Sequence, residues 1–162
     1  MSACYRLWQF VQAVRGHNKP PDLGTFATLL TAKQAHLFAS MSSVDQHHCL
    51  AVAQALAAQG VQQPDLLRAA LIHDVGKSLG RIRLWERVVH VLLLRCAPAL
   101  VGRVGSVQAG GFGHGLYLLA HHAHLGAQLA AEAGFSEATV RFVRGTGDAD
   151  LQEALRRADD SH

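Results

Sequence analysis

Apolar residues in this chain recur at intervals of three and four, and no segment sustains the alternation of polar and β-branched residues that a half-buried strand requires. That periodicity predicts an all-α fold. Val44, His48, Val52, Ala55 and Leu56 form one helical stripe, opened by a capping box expected at Ser43–Gln46 and stopped by Gly60. Pro64 and Asp65 suit the start of the next helix, whose inner face, Leu66, Ala70 and His73, ends where Gly76 breaks it. The same rules predict a first helix with Leu7, Phe10, Val11 and Val14 on one face, then shorter helices over 23–30 and 32–41. Further helices are expected over 84–96, 116–133, 137–144 and 151–159. The glycine-rich stretch "VGSVQAGGFGHG", residues 104–115, reads as a loop. Its glycines neither follow a strand nor open a nucleotide-type helix, so it is not read as a phosphate cradle.

A chain of 162 residues, 49% hydrophobic and 17% charged, can bury a core without disulfides or a structural metal. Cys4, Cys49 and Cys96 are odd in number, scattered and without a C-x-x-C pair, which speaks against a disulfide framework or a thiolate zinc site and fits a reducing cytoplasm. The formal net charge of +3 comes without a basic run, so it favours a small anionic ligand slightly and gives no case for nucleic acid. The most apolar window, residues 88–101, is interrupted by His90, Arg95 and Pro98 and is too short to cross a bilayer. No signal peptide, membrane span or membrane partner is expected; the expectation is a cytoplasmic monomer or small homo-oligomer.

Against this apolar background, "LIHDVGKS" at 71–78 places a histidine and an aspartate side by side at the end of a helix. Adjacent helical residues point about 100° apart, so His73 and Asp74 form no clamp alone, and other segments must supply further ligands. A helix C-terminus carries the negative pole of the macrodipole and suits a cation. A lone inward histidine such as His48 is ordinarily a core residue bonded to a carbonyl. A carboxylate beside an inward histidine, however, demands a cation or hydrogen-bond donors.

The segments "HHCLAVAQAL", "LLRAALIHDVGKS", "HAHLGAQLAAEAGFSEATV" and "LRRADD" resemble, in order and spacing, the HD superfamily of metal-dependent phosphohydrolases. The resemblance covers residues 44–160. It implies a single compact HD-type helical bundle domain over 1–162, with residues 1–43 as N-terminal helices packing on a metal-binding core at 44–160. It assigns His48, His73, Asp74 and Asp159 as the metal ligands, and it selects His48 over His47 because the pattern "HCLAVA" begins at 48, the residue the helical stripe also selects. Two imidazoles and two carboxylates suit a divalent transition metal, Mn, Fe, Co, Ni or Zn. Such an ion activates water for attack on phosphorus and polarises the phosphoryl oxygen, so the expected activity is hydrolysis of a phosphomonoester or phosphodiester of a small phosphorylated metabolite or nucleotide. Asp74 and Lys77 are the expected catalytic residues, Lys77 neutralising a substrate phosphate as a point charge. Arg81 and Arg83 are candidates for the rim of the anion site.

Family members with two metals add two histidines. His122 in "HAHLGA" matches the first, as an auxiliary ligand or phosphate contact; where the second is usual, after "ATVRFVR", this chain reads Gly145, Thr146, Gly147. One metal site is therefore expected rather than two, with His114, His121, His124 and Asp148 as the residues available to replace the missing ligand. The second reading is a catalytically weak or inactive metal-binding structural or regulatory module of the same type.

Overall fold

The computed structural model describes residues 19–107 and 110–162. The fold is all-α, with no strand among the described residues. The helices are α1 (Ala32–Ala39), α2 (Ser43–Ala58), α3 (Pro64–Ile72), α4 (Leu84–Cys96), α5 (His114–Glu132), α6 (Glu137–Arg144) and α7 (Ala149–Ser161). Three 3-10 helices join them: η1 (Gly24–Leu29), η2 (Val75–Leu79) and η3 (Pro98–Arg103). The helix expected over residues 7–14, and Cys4, lie outside the described residues.

Local chemistry sets most boundaries. Thr31 and Gln34 close a reciprocal capping box at the start of α1. The box expected at Ser43–Gln46 is displaced: Ser42 is the N-cap, its Oγ accepting from the Asp45 amide at 3.2 Å. Gln46 turns back instead to donate to the carbonyl of Met41 at 2.8 Å. The helix expected over 23–30 is a 3-10 turn that buries no residue, begun where the Asp22 carboxylate accepts from the amide of Gly24. α4 and α6 have the expected bounds, and α5 begins two residues early, at His114, behind Gly113 in the left-handed region (φ 72°).

α3 is the central helix. Leu66, Leu67, Ala69, Ala70, Leu71 and Ile72 are buried on nearly all its sides, against α2, α6 and α7. It therefore holds more than the single inner face its periodicity suggests. η2, which continues from α3 through His73 and Asp74, packs along α5. That approach is close enough that a Cβ on Gly76 would collide with the His122 carbonyl and lie 2.8 Å from the Gly126 amide nitrogen. Gly76 thus does more than end a helix: it lets two backbones meet.

α4 is fixed by one buried carboxylate. Glu86 accepts from the Arg83 amide at 2.7 Å and from the Gly115 amide at 3.0 Å, capping the first turns of α4 and α5 together. Any side chain at Gly115 would occupy the place of that carboxylate.

Candidate metal centre

Three segments converge beside the end of α3. His48 comes from α2 at the edge of its buried stripe, His73 and Asp74 from the α3–η2 junction, and Asp159 from α7. One ligand atom each from His48, His73 and Asp74 fall within 4.8 Å of one another, a group that can hold a metal ion. Asp159 Oδ1 accepts from His48 Nε2 at 2.8 Å and lies 3.3 Å from His73 Nε2. Asp74 is the deepest, 4% exposed, while Asp159 is 44% exposed, so the centre runs from the core outward. His47, the neighbour not selected, turns to the Lys19 carbonyl at 3.1 Å.

The imidazoles are oriented from behind. His73 Nδ1 donates to the Ala70 carbonyl at 2.9 Å, and His122 Nδ1 donates to the Leu119 carbonyl at 2.7 Å. A carbonyl on Nδ1 fixes the proton there and leaves the Nε2 lone pair for a metal. The two Nε2 atoms face Asp74 Oδ1, at 3.9 Å from His73 and 3.7 Å from His122. His73 Nε2 is buried and has no aligned hydrogen-bond partner, despite its closeness to two carboxylates. A core histidine satisfied only by a carbonyl would not aim its second nitrogen at such a gap. The donor set, nitrogen and oxygen without thiolate, fits a divalent transition metal. Cys49 is close by, its sulfur 3.6 Å from His73 Nδ1, but burial pushes its thiol pKa up and it stays protonated at neutral pH.

The electrostatics favour a cation. Burial would raise the Asp74 carboxyl, but Lys77, then His73 and His122, hold it well below the usual carboxylate range. Burial likewise opposes ionisation of Asp159, and the hydrogen bond from His48, with the charge of the nearby His73 imidazole, overcomes it. Burial would lower His73; the Asp74 and Asp159 carboxylates beside it outweigh burial and raise His73 well above 6.5. Burial, then the Lys77 charge, lower His122, leaving it neutral at pH 7.

These shifts give metal binding a proton linkage. Both carboxylates are already ionised at neutral pH, so an arriving ion would displace the proton on His73. Calorimetry in buffers of different ionisation enthalpy is expected to show release of about one proton per ion near neutrality, with affinity rising up to about tenfold per pH unit below the raised His73 value. Metal-free protein runs the other way. The stability from charged His73 is fully present below 6.5 and fades as pH rises through its higher folded value. Affinity that is flat with pH would refute His73 as a ligand.

A cleft of about 890 Å³ opens on the centre, lined among others by His48, Asp74, Asp45, Lys77 and Arg87. Lys77 donates to Asp74 Oδ2, so the lysine sits at the floor of the cleft and not on a solvated helix end. The cleft's arginine is Arg87 from α4, held by a long 3.5 Å contact to Asp45. Arg81 and Arg83 are exposed and do not line it. Arg87 was not singled out from sequence, and the signal for it, one turn after Arg83 beside a buried glutamate, becomes readable only once α4 is docked.

His114, His121, His124 and Asp148, the other candidate ligands from the sequence, are not brought to the centre. His114 bonds the Ser106 carbonyl, His121 packs against the Tyr117 ring, His124 is exposed and Asp148 caps α7. Comparison with family models, curated proteins and solved structures finds no match to this chain.

Proposed function

We propose that this protein is a metal-dependent phosphohydrolase of the HD type, cleaving a phosphomonoester or phosphodiester of a small phosphorylated metabolite or nucleotide. One observation carries the reading: a carbonyl-oriented imidazole and two ionised carboxylates gather around His48 and Asp74, which line a cleft that also presents Lys77 and Arg87. His48, His73, Asp74 and Asp159 would hold one divalent ion, with His122 beside it as auxiliary ligand or phosphate contact. When bound, that ion would supply Lewis acidity toward the phosphoryl oxygen and lower the pKa of a coordinated water toward neutrality. Lys77 steadies Asp74 and offers positive charge to the phosphate. Arg87 reaches the same cleft from a different helix and binds phosphate as a planar fork.

The test is hydrolysis of p-nitrophenyl phosphate and bis(p-nitrophenyl) phosphate by protein supplied with Mn, Fe, Co, Ni or Zn in turn, with Arg87→Ala alongside. Arg87→Ala is expected to raise KM about tenfold with a smaller change in kcat, because the lost contact serves binding. Folded protein that takes up none of the ions and cleaves neither ester would overturn the reading. The second reading, an inactive module of the same type, draws on the glycine at 145, in the left-handed region at the end of α6 where the family places its further histidine. It predicts metal uptake without turnover.

A further inference from the structure

We propose that the outer face of α4, with η3, Val107 and Phe112, docks on the surface of an anionic lipid bilayer. Every large apolar side chain that is exposed among the described residues falls between Leu79 and Phe112. α4 fully buries only Glu86, although its sequence is apolar around most of its circumference. Leu84, Trp85, Val91 and Leu92 lie bare on the side turned from α5. Val107 and Phe112 extend the same patch: Val107 is 71% exposed and Phe112 88%, and the Phe112 ring stacks on Trp85 at 5.6 Å. Solitary exposed apolar residues are ordinary, but a contiguous patch of this kind marks a binding surface.

Charge selects the occupant. Glu86 is the one acidic residue between 79 and 113, and it is buried, whereas Arg81, Arg83, Arg95 and Arg103 are exposed. Arg95 stands one helical turn beyond Val91 and Leu92, on the apolar face itself. A second copy meeting this face about a two-fold axis would set arginines against arginines with no carboxylate to answer them. Lipid phosphates answer all of them, while the aromatic rings and aliphatic residues enter the headgroup boundary and the arginine stems lie along it. No helix among the described residues is long and apolar enough to cross a membrane, so the contact is with the surface.

Flotation of the full chain with vesicles of phosphatidylcholine, with and without phosphatidylglycerol, tests this, together with sedimentation velocity for self-association. Binding is expected to the phosphatidylglycerol vesicles, weakened by salt and by roughly fivefold for each of Arg95→Gln and Arg103→Gln. Phe112→Ser, at an exposed position whose loss leaves the core intact, is expected to weaken it by on the order of tenfold. Equal binding to both vesicle types, or none to either at low salt, overturns the proposal. So does a concentration-dependent dimer that Leu92→Glu dissociates in a protein that binds no vesicle.

Discussion

Asp74→Ala is expected to empty the metal centre and abolish hydrolysis together. Asp74 lies between the three histidines and the lysine of the site, with one carboxylate oxygen toward His73 and His122 and the other toward His48 and Lys77. Its removal is expected to take metal content, read by plasma mass spectrometry, from about one equivalent to background and to cut turnover by on the order of a thousandfold or more. It also strands Lys77, whose raised pKa prevails over burial chiefly through the Asp74 charge, and an uncompensated buried charge costs about 3–5 kcal/mol. Asp74→Asn therefore belongs beside it, since the amide oxygen still accepts from Lys77 while the negative charge is gone. An unmelted Asp74→Asn protein without metal or activity fits a catalytic centre. If chelation melts the wild type and no hydrolysis is found, the ion is structural. Metal and turnover both retained by Asp74→Asn would remove the centre from this location.

Gly76→Ala is expected to destabilise the fold strongly, although it adds a single methyl group. Gly76 has no positive φ, so no turn requires a glycine; the constraint is the α5 backbone against which η2 lies. The obstructing atoms, the His122 carbonyl and the Gly126 amide, belong to a helix and cannot swing aside as a side chain would. Separating η2 from α5 would cost about 3 kcal/mol or more, a fall in Tm of roughly 6–12 °C for a chain this size. It would also carry His122 away from Asp74. Gly60→Ala is the control: Gly60 has φ 85° with open space around it, so only backbone strain of about 1 kcal/mol is at stake. Equal Tm values for the two variants, measured by circular dichroism, would refute the close-approach argument.

The all-α character was legible because helical periodicity is a local property, and α4 and α6 begin and end where capping and breaking residues place them. The N-cap of α2 was misplaced by one residue because Ser42 and Ser43 offer the same hydroxyl, and only the packing of Gln46 against the preceding turn decides between them. His48 was identifiable as an inward residue from its stripe. Asp159, by contrast, has no local signal: it stands near the end of a polar helix, α7, and only the resemblance pointed to it. Arg87 and the meaning of Gly76 were hidden for a common reason. Each depends on what a distant helix brings alongside, Glu86 bonding Gly115 in one case and α5 lying on η2 in the other.

Asp159 reaches the centre on a helix that fully buries only Leu155 and Ala158. Its other ligand-bearing neighbours stand on α2 and on the junction beyond the deeply buried α3. An ion gripped by both would act as a strap between a strongly and a weakly anchored part of the molecule. By reciprocity, every increment of binding free energy that depends on Asp159 also holds α7 down, and every transient lifting of α7 opens a route for the ion to leave.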